Sequence, residues 1–320
     1  HTRGDYPYVL KNGNQPDTIL KRRNGDLASL NLNLNTETRF SDSSVLKVKS
    51  WLYTSEQGLP GAVVYYNPYS AQRMNTLDFF GNIQYARTSG KVNLLSNVTL
   101  TDGKLRYRDP AYLNHEGGLD NHYFQQEYYL SQAISLPLGG IFSLGAAVDL
   151  MLNTMEADQY FIAEPSRFTG LASVVLRAET KWTEATLGLI GTMVNESSEK
   201  GQVTSSRQAL SPSFSFITRL SSNPLLRLRL MYRNSFRMPT FHDLYYNISG
   251  NTGLKPEVVN QFNAGLILLK ETGVLQFNFQ TDVFLNRVKD KIVAVPSQNL
   301  FVWSMRNFVN VEIRGIEMQA

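Results

Sequence analysis

Apolar and polar residues alternate with period two along most of the chain. Leu30, Leu32 and Leu34 alternate with Asn31, Asn33 and Asn35, and Leu226, Leu228 and Leu230 with Arg227, Arg229 and Met231. Farther on, Leu275, Phe277, Phe279, Thr281 and Val283 alternate with Gln276, Asn278, Gln280 and Asp282. Successive side chains of a strand point to opposite faces, so each run predicts a strand with one apolar and one polar face. In 224–236 this orients Leu226, Leu228 and Leu230 to one side, and Arg227, Arg229 and Arg233 to the other.

Carried along the chain, the pattern predicts about 13 strands with ends uncertain by a few residues. They fall near 23–37, 44–54, 74–88, 90–102, 121–135, 139–152, 168–180, 182–195, 207–220, 224–236, 259–270, 273–286 and 307–320. Several exceed the roughly 5–6 residues usual in soluble proteins and the roughly 9–11 that a tilted strand needs to cross a hydrocarbon layer. Short connections are expected at 38–43, 88–90, 136–139, 181, 221–224 and 271–273, and long ones at 55–73, 103–120, 153–167, 196–206, 237–258 and 287–306. Short and long alternate throughout. An antiparallel membrane barrel has short turns on one rim and long loops on the other. A soluble β-sandwich shows the same alternation within strands, but has no reason to sort its loops by length. Aromatic residues toward strand ends (Trp51, Tyr53, Phe79, Phe80, Tyr85, Phe168, Trp182, Tyr232 and Phe236) are expected to form interfacial girdles.

Composition narrows the alternatives. The 320 residues are 42% hydrophobic, 11% aromatic and 18% charged, which excludes a disordered chain. No apolar run approaches the roughly 18 residues of a spanning helix; the richest stretch, 139–152, is interrupted by Ser143 and Asp149. A helical membrane protein is excluded and a barrel is not. There is no cysteine, hence no disulfide or thiolate site. The net charge of +4 is spread along the chain without a basic cluster or nucleic-acid motif, so no nucleic-acid partner is expected.

Candidate chemistry is sparse. The four histidines, His1, His115, His122 and His242, belong to no metalloprotease, hydrolase-elbow, phosphate-loop or dinucleotide motif. Asp109, Glu116 and Asp120, with His115 and His122 nearby, form a candidate divalent-cation loop, against the reading of a solvated surface loop. No residue set nominates a nucleophile, base and orienter; an enzyme is not expected, nor is a cofactor.

Ser235, Phe236, Arg237, Met238, Pro239, Thr240, Phe241, His242, Asp243, Leu244, Tyr245 and Tyr246 run consecutively, followed by Gly250, Asn251, Leu254, Lys255, Pro256 and Glu257. This stretch resembles the signature of TonB-dependent outer-membrane receptors. The last segment, 307–320, with Asn310, Gly315, Ile316 and Glu317, is similar to a later barrel strand of that family. The resemblance implies an all-β antiparallel transmembrane barrel of 22 strands in a Gram-negative outer membrane. It also implies a plug, and a segment contacting the TonB energy-coupling complex. Residues 1–320 are then expected to be an incomplete barrel, with plug, coupling segment and closing strand outside them.

A second resemblance bears on the ligand. Residues 58–68, with Gly4, Asp5, Tyr6, Pro7 and Tyr8, are similar to vitamin B12 receptors of the Bacteroidetes type. That implies a cobalamin ligand, held by loops carrying Tyr65, Tyr66, Asn67, Tyr112, Asn114, Tyr160 and Phe161, with a surface lipoprotein cap as a further partner. A ferric siderophore or haem is the alternative ligand, and a passive porin the alternative class. For the 58–68 turn, loop rigidity from Pro60 and Gly61 is the plain structural explanation.

Overall fold

The computed structural model describes residues 1–11, 13, 16–61, 70–112, 117–158, 164–198, 205–246, 249–296 and 303–320. Three short strands come first: β1 (Thr2–Arg3), β2 (Pro7–Leu10) and β3 (Thr18–Lys21). Then follow β4 (Asp26–Ser41), β5 (Ser44–Leu59), β6 (Gln72–Ser89), β7 (Val92–Asp109), β8 (Leu119–Gly139) and β9 (Phe142–Ala157). Next come β10 (Pro165–Glu179), β11 (Thr183–Ser198), β12 (Ser205–Ser222) and β13 (Leu225–Arg237). A short helix α1 (Phe241–Tyr245) precedes β14 (Glu257–Thr272), β15 (Leu275–Pro296) and β16 (Trp303–Gln319). No helix is long and apolar enough to cross a membrane.

The sheet is 14-stranded, with β1 beside β4 and then β4 to β16 in sequence order, each antiparallel to the next. β2 and β3 form a separate hairpin. Connections of two or three residues at 42–43, 90–91, 140–141, 180–182, 223–224 and 273–274 occupy one rim. The other rim carries 60–71, 110–118, 158–164, 199–204, 238–256 and 297–302. The expected sorting of short and long connections is therefore present.

Register fixes the faces. Leu30, Leu32, Leu34, Leu77, Phe79, Leu130, Leu150, Val174, Leu187 and Leu266 share one face, and all are exposed. On the opposite face lie Asn31, Asn33, Lys49, Asn82, Thr99, Ser131 and Asp149. A one-residue slip would exchange the two sets, and a lipid-facing Arg near the midplane costs about 2–4 kcal/mol, so register is strongly specified. As expected, Arg227, Arg229 and Arg233 lie on the polar face: Arg229 Nη2 donates to Asp282 Oδ1 at 2.7 Å, while Tyr232 and Phe262 pack on the other side.

Four expectations need correction. β1, β2, β3 and α1 were not foreseen. The long strands run 13 to 22 residues, beyond the expected ends, because sheet pairing continues after apolar alternation stops. The expected long connections are correspondingly shorter. Of the girdle set, Trp51, Tyr53 and Phe80 face the lumen: they share the face of Lys49 and Asn82, and Trp51 stacks on Phe80 at 6.1 Å.

Candidate functional site

After Arg237 the chain turns to the lumen side instead of outward. Pro239 is almost fully buried. Thr240 then starts α1 with a reciprocal cap, its Oγ1 accepting from Asp243 N at 3.1 Å while Asp243 Oδ2 accepts from Thr240 N at 2.9 Å. Such a pair satisfies two backbone donors that a helix start leaves open. Phe241, Leu244 and Tyr245 are thereby aimed at Tyr123 of β8 and at Met155 and Ala157 of β9; together these six form the buried core. Leu105 and Leu254 pack at its edge.

Two ionic clusters hold the segment down. Arg167 of β10 donates to Glu196 Oε2 of β11 from Nε (2.8 Å) and Nη2 (2.5 Å), and to the Pro239 carbonyl from Nη1 at 2.7 Å. Its guanidinium also lies over the Phe241 ring at 4.8 Å. Tyr245 completes this cluster by donating to Glu196 Oε1 at 2.5 Å. Burial above all, and then the Glu196 carboxylate, push the Tyr245 phenol well above its ordinary value. In the second cluster Arg237 bridges Asp243 and Glu257, and Glu257 also accepts from Lys291 Nζ and Ile292 N. The Glu196 and Glu257 side chains are each only 4% exposed, so their partners offset a large desolvation cost.

The return path is pinned as well. Gly250 N donates to Tyr246 O at 2.7 Å, and a Cβ at 250 would lie 2.7 Å from the Leu244 carbonyl. Only glycine permits that approach. Asn251 Nδ2 donates to Met305 O, Met305 N donates to Ser249 O, and Asn307 exchanges hydrogen bonds with Lys255. Loop 238–256 thus touches β8–β11 and β16 across the mouth of the sheet.

On this segment three rings stack in a column. Tyr123 is buried, Tyr246 lies against it at 5.3 Å and 24°, and His242 lies against Tyr246 at 4.4 Å and 25°. His242 is exposed and ends the column. Burial, then Tyr123, raise the Tyr246 phenol. A cavity of about 870 Å³ lies on the opposite, outer face of β4–β9, between Leu30, Leu77, Lys104, Arg106, His122 and Phe124.

The signature residues divide by role. Pro239, Asp243, Leu244, Tyr245, Tyr246 and Leu254 build the inward fold; Arg237 and Glu257 clamp it; Lys255 and Pro256 lead it back into β14. Phe236 faces the opposite side. The sequence did not disclose Arg167, Glu196 and Tyr123, whose one signal is lumen parity near the long-loop rim.

Two other expectations fare differently. Asp109 and Asp120 do not share a cation site. Asp109 is buried on the lumen face, accepting from Gln72 Nε2 and Ala111 N, whereas Asp120 lies on the outer face paired with Arg106. An odd register difference separates them, and Glu116 lies outside the described residues. Among the described residues no His, Asp and Glu group is placed to hold a metal ion. Of the ligand-loop residues, Tyr112 is exposed in the 110–118 connection. Tyr65, Tyr66, Asn67, Asn114, Tyr160 and Phe161 lie outside the described residues.

Comparison with known proteins follows the same lines. The family described as TonB dependent receptor-like, beta-barrel, matches residues 2–320. The "Vitamin B12 transporter BtuB" of Vibrio vulnificus is 36% identical over 87 residues, 27% of this chain and 13% of that protein. Among solved structures, the "Copper transporter OprC" superposes with a TM-score of 0.74 at 14% identity over 91% of this chain and 49% of that one. An FrpB iron transporter from Neisseria meningitidis superposes with a TM-score of 0.73, also at 14% identity, over 91% of this chain and 49% of that one. The chain spans about half the length of these structures, and at such identity they establish the fold alone. With the family matched from residue 2 to the last position, the chain belongs to the TonB-dependent receptor β-barrels of the Gram-negative outer membrane, a family of transporters and receptors and not of enzymes.

Proposed function

We propose that this chain forms the wall and mouth of an energy-coupled uptake receptor whose nutrient is a cobalamin-type corrinoid. The observation that carries the ligand is the 36% identity over 87 residues to a vitamin B12 transporter. The mouth supports it: a stacked column of Tyr123, Tyr246 and His242 ends in an exposed ring suited to a large, flat, conjugated ligand. Aromatic rings cover apolar area at low entropic cost, and the amides of a corrinoid find partners in the polar rim. Connections 60–71, 110–118 and 158–164 contribute further contacts, Tyr112 among them.

In this reading the residues do no covalent chemistry. The outer face holds the chain in lipid, the mouth captures the nutrient, and the TonB complex supplies energy through parts of the protein beyond this chain. A surface lipoprotein capping the mouth is part of the same proposal. The family match over residues 2–320 favours a receptor over a passive porin. Ferric siderophore or haem uptake is the second reading, suggested by iron and siderophore proteins among the structural neighbours.

Titration of the purified full-length receptor with cyanocobalamin and with ferric siderophores tests the ligand. Saturable cyanocobalamin binding is expected, weakened several-fold by His242→Ala. Saturable siderophore binding without cobalamin binding would end the corrinoid assignment and leave the family untouched.

A further inference from the structure

The outer face of β15 is apolar from its short-turn end to Leu285. Leu275, Phe277, Phe279, Val283 and Leu285 occupy it, with Thr281 the one hydroxyl among them. That run matches the roughly 9–11 residues that carry a tilted strand across the hydrocarbon layer. The next two outward positions are Arg287 and Lys289, and on β16 Arg314 stands directly opposite Leu285. All three are exposed. Arg287 takes the neighbouring carboxylate, Glu312, at 3.3 Å, whereas Lys289 and Arg314 form no ion pair among the described residues.

Elsewhere on the outer long-loop rim, cations come with carboxylates. Arg73 holds Asp26 and Glu56, Arg106 holds Asp120, and Arg108 stands opposite Asp120. From β9 to β12 the corresponding positions are Glu156, Ser166, Asn195, Ser197 and Ser206, without a Lys or Arg. Arg314 is a diagonal cross-strand neighbour of Arg287, about 7–8 Å away, and Lys289 lies about 7 Å along the strand. Positive charge just above the apolar band is thus concentrated on β15 and β16.

Below this cluster the apolar face is not flat. Leu230, Ala264 and Val283 form one cross-strand row, and Tyr232, Phe262 and Leu285 form the next. The Tyr232 and Phe262 rings lie 5.1 Å apart, and the short Ala264 side chain leaves a groove of about 370 Å³ beside them. The upper row runs on into Arg314 and the lower one into Ile316. Leu225, at the short-turn end of β13, shares its row with Leu269 and Asn278, several residues in from the 273–274 turn. Rows therefore climb toward the long-loop rim from β13 to β15, and the groove rises out of the hydrocarbon toward the cations.

Such a slot is complementary to an amphiphile with an acyl chain and an anionic head. Arginine takes phosphate by paired hydrogen bonds, and lysine adds a point charge. We propose that this groove seats one phosphate-bearing lipid of the leaflet on the long-loop side. Its acyl chain lies between the two rows and its phosphate on Arg314 and Lys289. Continuity with the lipid-facing surface selects a lipid over a soluble anion. The two cations without carboxylates select an anionic head over a neutral one. The site is independent of the nutrient carried.

The test uses the delipidated full-length receptor, native mass spectrometry, and two lipids with the same acyl chains, dioleoylphosphatidate and dioleoylglycerol. Wild type should retain one phosphatidate and bind the diacylglycerol several-fold more weakly. K289Q/R314Q should weaken phosphatidate binding several-fold, and K289R/R314K should largely retain it. Ala264→Phe, which fills the groove without touching charge, should weaken both lipids. Heat-modifiable migration selects the folded fraction of each variant. Equal phosphatidate retention by wild type and either K289Q/R314Q or Ala264→Phe would overturn the site, as would equal retention of the two lipids by wild type. So would full displacement of phosphatidate by inorganic phosphate, because the patch would then be an ion site with no use for the groove.

Discussion

Tyr245 and Glu196, 49 residues apart in sequence, share a 2.5 Å hydrogen bond in which the phenol donates to a carboxylate that is 4% exposed. This contact ties an inward-folded loop to a wall strand several positions away in the sheet. Hydrogen bonds to charged groups contribute about 1.5–3 kcal/mol net. Tyr245→Phe should therefore release loop 238–256 by about that amount while the sheet persists. Faster proteolytic cleavage of the loop at unchanged barrel melting temperature is the expected outcome; a global drop in melting temperature would count against it.

The Arg167–Glu196 pair makes a stronger demand. Removing one partner leaves a buried charge uncompensated, at a cost of about 3–5 kcal/mol. Arg167→Met should free the loop more completely than Tyr245→Phe. The R167M/E196L double variant should recover much of the loss, because it leaves no charge stranded. Hydrogen exchange of the α1 amides in the three variants orders them, and a double variant worse than the single would contradict this account.

The same hub fixes a pH response. The Tyr245 phenol is raised above its ordinary 10.0, so the protonated form is favoured in the folded loop. Its contribution is complete below the ordinary value and is lost as pH climbs through the raised one. Alkaline titration followed at the phenolate absorbance should show a late-ionising component in the wild type. Tyr245→Phe should remove it, and proteolytic opening of the wild-type loop should set in only above about pH 10, the ordinary phenol range.

Why the strands could be read from sequence and the hub could not has a physical basis. Within the membrane one face meets lipid and the other water, so period-two alternation follows directly and places Leu226 and Arg227 on opposite faces. Above the membrane both faces meet water. Lys104, Arg106 and Arg108 then take the outward positions and Leu105 and Tyr107 the inward ones, reversing the parity of Val98 and Leu100, so the segment reads as loop although pairing continues to Asp109. Trp51 and Tyr53 were legible but overlooked: in the run from Lys47 to Tyr53 they share parity with the lysines, and parity outweighs the preference of aromatics for interfaces. Arg167 and Glu196, by contrast, look like ordinary strand-end charges. Their partner arrives from 72 residues away in one case and 49 in the other, and no local pattern encodes that.

Adjacent residues on β9 give the most direct check of the faces. Leu150 is exposed on the apolar face and Met151 is half-buried on the lumen face, opposite Tyr129. An arginine at position 150 must enter hydrocarbon or distort the strand to escape it, at about 2–4 kcal/mol near the midplane. An arginine at 151 enters a polar lumen within reach of the Asp149 carboxylate on the same face, and its cost should be small. The comparison holds strand, depth and substituent fixed, so only the direction of the side chain differs. Folding of the full-length receptor into lipid vesicles, followed by heat-modifiable migration, should show Leu150→Arg impaired and Met151→Arg close to wild type. Equal impairment would mean that the face bearing Leu150 is not the one turned to lipid.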